Sequence, residues 1–159
     1  MKRIILVVFS LLLLASCSSA EKEVNEAPQH MKVYYLDAKT GMLFGEEYDM
    51  PPKENIVELI SSTIERMMQK HKNSELLSVF PENIKLLGVE FDHGTTRLNF
   101  SKEYLSLSGF DKTGAECAIA LSLSNFWNVD TIDILVEGEI VTEGLKHENI
   151  ITELPKEQD

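Results

Sequence analysis

The four histidines are the side chains best suited to bind a metal or to transfer a proton, because an imidazole titrates near neutral pH. They are His30, His71, His93 and His147. No two of them have the H-x-x-x-H spacing that presents two ring nitrogens from one face of a helix. The surrounding patterns place them in a tether, at a helix end, in a hairpin turn and in a tail, so the sequence predicts no metal site.

The acidic residues also lack the spacing of a reactive site. Glu46-Glu47-Asp49 and Glu137-Glu139-Glu143 are dense in carboxylates, but neither has the ligand spacing of a calcium loop. His93 follows Asp92 in a turn, a position where the backbone tolerates an exposed histidine. The chain has no nucleophile elbow and no phosphate-binding glycine loop. We therefore predict no catalytic, cofactor-binding or metal-binding residue and no enzymatic activity.

Cys17 has the most specific chemical surroundings. Two basic residues precede an apolar run at positions 4–14, which is about half of the roughly 20 residues that a membrane-spanning helix needs. The run ends in Leu14-Ala15-Ser16-Cys17, which resembles the bacterial lipobox, where a signal peptidase cuts before the cysteine and the thiol receives diacylglycerol. We expect cleavage between Ser16 and Cys17, a lipid on Cys17 and a fatty acid such as palmitate. The alternative is an ordinary secretory signal that contains a cysteine by chance.

A lipid on Cys17 determines both the location of the chain and the pairing of its cysteines. It places the chain on the extracytoplasmic face of the cell membrane, which is the periplasmic side in a cell with an outer membrane. Cys117 is then predicted not to pair with Cys17 and to be a small buried residue of a helix. Residues 18–30 are polar and acidic, which predicts a flexible tether. A partner-binding segment is the alternative for this stretch.

The charge of the chain restricts its partners. The formal net charge is −11, and it becomes −13 when residues 1–16 are removed, because they contain Lys2 and Arg3 but no acid. Nucleic-acid binding needs clustered Lys and Arg, whereas here the basic residues are scattered among acids. Nucleic acid is therefore excluded as a partner. The membrane, protein partners and a second copy of the chain are left, and the sequence defines no small-molecule ligand.

A β-hairpin with strands on either side of Asp92-His93-Gly94 is the strongest structural pattern. The predicted register pairs Val89 with Leu98 and Leu87 with Phe100. A shift of one residue would place polar and charged groups on the core face. We expect this hairpin to pack against both long helices through Leu87, Val89, Phe91, Leu98 and Phe100.

The two long helices follow from apolar residues at intervals of three and four. The first is predicted at about 53–72, opened by Pro51-Pro52 and ended by Asn73. The second is predicted to follow a loop at 109–114 and to begin at the capping box Thr113-Gly114-Ala115-Glu116. Its predicted core stripe is Ala115, Ala118, Ile119, Ser122, Leu123, Phe126 and Trp127.

The remaining segments predict strands at 31–37, 42–48 and 129–136, with a short edge strand at Ile140-Val141. The order β-β-α-β-β-α-β predicts an α+β fold, a single two-layer domain with helices packed on an antiparallel or mixed sheet. We divide the chain into a lipoprotein signal peptide (1–16), a lipidated tether (17–31), the domain (32–146) and a polar tail (147–159).

Residues 32–146 contain a set of short motifs, which are Val33-Tyr34-Tyr35, Leu76-Leu77-Ser78-Val79-Phe80-Pro81, Leu86-Leu87-Gly88-Val89, the turn at Gly94, Leu98-Asn99-Phe100-Ser101-Lys102-Glu103-Tyr104 and Ile134-Leu135-Val136-Glu137-Gly138. Together these motifs resemble those of the GerM domain, which is named for a sporulation and spore germination protein and is found in other bacterial lipoproteins. Asn99 and Glu137 stand where that family commonly has aspartate.

The resemblance implies a role without catalysis. The spore protein has two tandem GerM domains and assembles into a ring between mother cell and forespore, whereas this chain has one copy. The implied function is a lipid-anchored scaffold or assembly module that acts through protein contacts, in sporulation or elsewhere in the cell envelope. The alternative is a ligand-binding module for a cell-wall polymer, or an accessory subunit that tunes an envelope enzyme or sensor.

Overall fold

The structure, a computed structural model, describes residues 30–50, 53 and 55–153. Cys17 and the predicted signal peptide lie outside these residues. The described elements confirm the α+β fold, the order β-β-α-β-β-α-β and the edge strand that follows it, which is longer than predicted. A two-residue strand, a 3-10 helix and a final helix are added. They are β1 (His30–Asp37), β2 (Leu43–Asp49), α1 (Ile56–Met68), β3 (Leu76–Leu77), β4 (Leu86–Asp92), β5 (Thr95–Phe100), the 3-10 helix (Lys102–Ser106), α2 (Gly109–Leu123), β6 (Thr131–Val136), β7 (Glu139–Leu145) and α3 (His147–Glu153).

The strands form two sheets, where the sequence predicts one. The first sheet has three strands in the order β2-β1-β3, and the second has four in the order β4-β5-β6-β7. Strands β5 and β6 are parallel, and the other pairs are antiparallel. The second sheet is therefore mixed. The 3-10 helix and α2 connect β5 to β6, since parallel neighbours need a crossover connection.

Helix α2 closes the edge at which the first sheet could have continued. Strand β3 pairs only with Leu36 and Asp37 of β1. Further along that edge, the Tyr34 N–H donates to Ser122 Oγ at 3.1 Å. Asn125 accepts from the Lys32 N–H at 3.1 Å and donates to the Lys32 carbonyl at 3.0 Å. Side chains from this helix and its C-terminal turn thus satisfy backbone groups that another strand would otherwise pair.

Helix α1 begins at Ile56 because Asn55 caps it. The Asn55 Oδ1 accepts from the Glu58 N–H at 3.0 Å, and the Asn55 Nδ2 donates to the Glu58 carboxylate at 3.2 Å. The first bond satisfies one backbone donor of the helix start, and the second holds the Asn55 side chain in place. Pro51-Pro52, the predicted start, lies outside the described residues. The helix ends at Met68, so the predicted end near position 72 is wrong.

Helix α2 begins at Gly109, so the prediction of a loop at 109–114 with a capping box at Thr113 is wrong. Thr113 Oγ1 donates to the Gly109 carbonyl at 3.1 Å, and the Glu116 carboxylate accepts from Thr142 Oγ1 at 2.6 Å. Because the helix ends at Leu123, helical periodicity does not determine the direction of Trp127. Trp127 is 80% exposed, and its predicted place in the core is wrong.

The register of the central hairpin is confirmed over most of its length. Val89 pairs with Leu98, but a β-bulge between Leu86 and Gly88 places Leu86 opposite Phe100. The extra residue reverses the alternation of side chains. Leu87 is 49% exposed, so its predicted place on the core face is wrong. Helix α1 packs on β4, whereas α2 packs mainly on β1.

Both hairpins of the second sheet close through two residues with positive φ. His93 and Gly94 have φ of 46° and 83°, and Glu137 and Gly138 have φ of 49° and 89°. This is the type I′ geometry that matches the twist of the strands. Asn99 Oδ1 accepts from the Gly138 N–H at 3.0 Å, and the Glu137 carboxylate accepts from the Lys102 N–H at 3.0 Å. Asn99 and Glu137 thus join the second turn to the neighbouring strand and to the 3-10 helix.

One hydrophobic core joins the two sheets to the helices. Near its centre the Phe100 ring lies 5.6 Å from the ring of Phe80 and stacks on Tyr104 at 5.0 Å. The buried apolar side chains of the described chain come from residues 31–150, so a fragment that begins at Ser18 contains all of them. Among the described helices, none is long and apolar enough to cross a membrane.

Candidate interaction surface

The segment 78–81 lies between two adjoining clefts. Ser78 fixes this segment, because its Oγ donates to the Met67 carbonyl at 2.7 Å and accepts from the Phe80 N–H at 3.0 Å. The Phe80 side chain is buried in the core. Val79 and Pro81 line the first cleft. The Leu76–Pro81 motif is therefore structural at Ser78 and Phe80.

The first cleft has a volume of about 260 Å³ and lies between this segment, the end of β1 and the first turns of α2. Its wall is mostly apolar, with Asp111 as a charged residue. Phe110, in the first turn of α2, is 72% exposed at the cleft. An exposed aromatic side chain beside an apolar cleft is typical of a protein-binding surface. The lining residues are Leu36, Ser78, Val79, Phe80, Pro81, Leu107, Phe110, Asp111, Gly114 and Ala115.

The second cleft has a volume of about 430 Å³ and lies on the other side of the shared residues Ser78, Phe80 and Pro81. Leu77 contributes an exposed apolar side chain to it. Its polar members are Lys70, His71, Ser74 and Glu82. The two clefts share three lining residues, and the walls of both are mostly apolar with a few charged residues.

His71, which the sequence places at a helix end, lines the second cleft and pairs with a residue that sequence reasoning did not connect to it. Its side chain is only 6% exposed and its Nε2 lies 2.7 Å from a Glu46 carboxylate oxygen. The Nδ1 atom accepts from the Asn73 N–H at 3.0 Å, which leaves Nε2 to donate to Glu46. The ring also packs on Tyr35 at 4.8 Å. No spacing rule links residues 46 and 71, so only the fold brings them together.

Arg66 lies over the neighbouring Tyr48 ring, with its guanidinium carbon 4.9 Å from the ring centre. The Arg66 carbonyl accepts from the Tyr35 hydroxyl at 3.3 Å. Burial raises the pKa of Tyr35, and the positive charge of Arg66 opposes that rise. The contacts of Tyr35, Tyr48, Arg66 and His71 therefore join β1 and β2 to the end of α1, which is a structural role.

The described residues do not bring together a reactive site. They contain no group of three or more His, Cys, Asp and Glu side chains that could hold a metal ion. His30 lies 2.5 Å from Asp49 and His93 lies 2.5 Å from Asp92, and all four side chains are largely exposed. Cys117 is half-buried on α2 against the core. Cys17, the predicted lipidation and cleavage site, lies outside the described residues.

Solved structures of low sequence identity share this fold. The first GerMN domain of the sporulation protein GerM from Bacillus subtilis matches with a TM-score of 0.61 and 16% identity, over 75% of this chain and 98% of that one. The tandem GerMN domains of the same protein match with a TM-score of 0.62 and 15% identity, over 76% of this chain and 46% of that one. No curated protein sequence matches the chain. The geometry thus defines a single α+β domain of the GerMN type.

The family is shown by a match to the Germane family model, described as sporulation and spore germination, over residues 32–142. The chain belongs to the Germane family. The predicted resemblance to the GerM domain is therefore confirmed.

Proposed function

We propose that this chain is a lipid-anchored, non-enzymatic scaffold or assembly module on the extracytoplasmic face of the cell membrane, in sporulation or elsewhere in the cell envelope. The observation that carries the proposal is the apolar surface formed by the two clefts and Phe110. Protein interfaces have apolar, aromatic-rich centres with few charges. A Germane domain with such a surface is suited to bind another protein or a second copy of itself.

The polar side chains of the described residues stabilise the fold and do not form a catalytic arrangement, which supports a non-enzymatic role. Glu46 hydrogen-bonds to His71. The Asp37 carboxylate accepts a hydrogen bond from the Thr40 N–H in the turn that follows β1. Catalysis needs a base, an acid or a nucleophile aimed at a shared point where substrate can lie. The groups named here are instead directed at other parts of the same domain.

Site-specific photo-crosslinking tests the role of the surface. A photoreactive amino acid is placed at position 110, and at exposed position 65 on α1 as the matched control, in the chain expressed in its own cell envelope. We expect discrete protein adducts from position 110 and far fewer from position 65. Equal, weak adducts from both positions would contradict a protein-binding role for this surface.

The lipid anchor is proposed from the lipobox at Leu14-Ala15-Ser16-Cys17. Cells that express the chain are supplied with radiolabelled palmitate, and the protein is isolated. We expect label on the wild-type chain and none on Cys17→Ala. Unlabelled wild type, or equal label on both forms, would show that the lipobox assignment is wrong.

A ligand-binding module is the second candidate, and the second cleft favours it. Its volume of about 430 Å³ lies within the usual range for small-molecule sites. Lys70, His71 and Glu82 supply polar groups at its wall. Soluble cell-wall fragments titrated into the isotope-labelled domain should shift the amide resonances of Lys70 and Leu77. Unchanged spectra at millimolar fragment concentration would remove this candidate.

A further inference from the structure

Three of the outer strands carry features that disfavour pairing with another strand. Strand β4 has a bulge between Leu86 and Gly88, and the pairing of β7 with β6 has two register shifts. Strand β3 has only two residues. Bulges and very short strands are the usual protection against edge-to-edge association. Together with the side chains that cap β1, they leave β2 as the remaining edge to consider.

Strand β2 lacks these features. Its register against β1 is continuous from Asp49, opposite His30, to Leu43, opposite Leu36. Its seven residues include no proline and no lysine. No described residue forms a hydrogen bond to the outer side of its backbone. A regular, unpaired strand of this length is a template for a further strand.

The hydrogen bonds of β1 identify which groups of β2 point outward. In an antiparallel pair, residues alternate between bonding to the partner and pointing away from it. Lys32 and Tyr34 bond to side chains on the far side of β1. Their partners across the pair, Glu47 and Gly45, therefore direct their N–H and carbonyl groups away from β1.

The side chains along β2 differ between its two ends. Near the start, Met42 and Phe44 are 67% and 51% exposed. Near the end, the Glu47 and Asp49 side chains are exposed and acidic. A complementary strand in antiparallel register would place basic residues opposite Glu47 and Asp49 and apolar residues opposite the start of β2.

A second copy of this chain fits the edge poorly. Strand β2 contributes Glu46, Glu47 and Asp49 and no basic residue. Two paired copies would therefore bring three carboxylates from each chain to one strand pair, and like charges oppose such pairing. The complementary charge must come from a different protein.

We propose that the outer edge of β2 binds an extended segment of a partner protein that carries basic residues at one end and apolar residues at the other, and that this segment adds an antiparallel strand to the first sheet. The inference rests on the proposed function, since it names the kind of partner that the module binds. Main-chain hydrogen bonds supply the affinity in this mode of recognition, and the alternate side chains supply the specificity.

Amide hydrogen exchange tests the proposal on the fragment that begins at Ser18. The probe is a seven-residue synthetic peptide with lysine at its first position, arginine at its third, valine at its sixth and seventh, and threonine elsewhere. Antiparallel pairing then places its lysine opposite Asp49, its arginine opposite Glu47 and a valine opposite Phe44. We expect the peptide to slow exchange at the outward amides of Gly45 and Glu47 and to leave β4 and β7 unchanged. Unchanged exchange at both amides with millimolar peptide would overturn the proposal.

Substitutions at Glu47 separate backbone pairing from charge. Glu47→Pro removes an outward N–H and should weaken peptide binding by about tenfold or more, whereas Glu47→Ala keeps the N–H and should weaken it less. Glu47→Lys should weaken binding of the basic peptide and should favour a peptide with glutamate in place of the arginine that lies opposite position 47. Glu65→Lys makes the same charge change on α1 and is the control. Equal effects of Glu47→Lys and Glu65→Lys would contradict a specific edge contact.

Protection of Gly45 and Glu47 that rises with protein concentration in the absence of peptide would show self-pairing and overturn the assignment of a basic partner. Failure at β2 together with adducts from position 110 would leave the proposed function in place. The two proposals therefore fail separately.

Discussion

At the residue scale, the two buried tyrosines differ in how their hydroxyl groups are satisfied. The Tyr35 hydroxyl donates to the Arg66 carbonyl at 3.3 Å. The Tyr104 hydroxyl is buried and no described residue is its hydrogen-bond partner. Burial raises the pKa of Tyr104 far above its ordinary value, and the nearby charge of Glu116 adds to the rise. An unpaired buried hydroxyl is destabilising, typically by about 1–3 kcal/mol.

Tyr104→Phe should therefore raise the free energy of unfolding by up to about 1 kcal/mol, because it removes the unpaired oxygen and keeps the stacking on Phe100. Tyr35→Phe is the matched control and should lower it by about 0.5–1.5 kcal/mol, since a hydrogen bond is lost. Urea unfolding of the two variants measures both changes. A loss of stability in Tyr104→Phe equal to that of Tyr35→Phe would show that the Tyr104 hydroxyl has a partner.

The Asp37 carboxylate predicts how the stability of the domain depends on pH. The Thr40 N–H and hydroxyl and the Lys39 N–H donate to its carboxylate, and these bonds hold the pKa of Asp37 below its ordinary value. The charged form is thus favoured by folding, so its contribution is full above about pH 5 and is lost as pH falls through the folded-state pKa. Asp37→Asn should be less stable than wild type at pH 7, and the difference should shrink toward pH 2. A difference independent of pH would contradict a role for the charge.

At the element scale, the bulge in β4 decides which residues of the central hairpin support the core. Phe100 is fully buried, whereas Leu87 is 49% exposed. Phe100→Ala should lower the free energy of unfolding by about 3–5 kcal/mol because it leaves a cavity among Phe80, Tyr104 and Leu86. Leu87→Ala should change it by less than about 0.5 kcal/mol. Thermal unfolding compares them, and similar losses would mean that the bulge is absent.

The regular part of the fold could be predicted from the sequence. The alternation in β5 and the turn at Gly94 determine the pairing of Val89 with Leu98, because only that register buries one apolar face. The bulge could not be predicted, since Leu86 and Leu87 are equally apolar. The start of α2 at Gly109 was not predicted either. Its N-cap residue, Ser108, forms no side-chain hydrogen bond to the first turn, and the capping-box pattern lies further along the chain at Thr113.

The candidate surface could be predicted from the sequence less well than the fold. Phe110 was assigned to a loop and Trp127 to a helical stripe, and both are exposed because the bounds of α2 differ from the predicted ones. Glu46 and His71 are far apart in sequence, and no spacing rule connects them. Contacts of this kind depend on how β2 and the end of α1 pack together, which periodicity does not encode.

At the scale of the whole molecule, the charge of the chain opposes association while its surface favours it. The predicted mature chain has a formal net charge of −13 after the loss of Lys2 and Arg3 from a total of −11. The clefts at 78–81 offer apolar contact area. Any self-association must overcome the repulsion between two acidic copies.

Higher salt should therefore strengthen self-association of the fragment from Ser18, if two copies meet through this surface. Raising ionic strength to roughly 0.3 M shortens the Debye length below the 8–10 Å of ordinary buffers and screens the like charges. Sedimentation from micromolar to near-millimolar concentration at two salt levels measures the effect. Association that weakens with added salt would instead indicate pairing of opposite charges, in conflict with an apolar contact.

The size of the native complex tests the central claim most directly, because the claim is that the domain acts by binding other proteins through its apolar surface. The full-length chain is expressed in its own cell and extracted in mild detergent, and its sedimentation is measured. We expect a complex larger than a single chain in a detergent micelle, and we expect Phe110→Ser to reduce it to that size without loss of thermal stability. Wild-type protein that sediments as a single chain, with Phe110→Ser indistinguishable from it, would contradict the account.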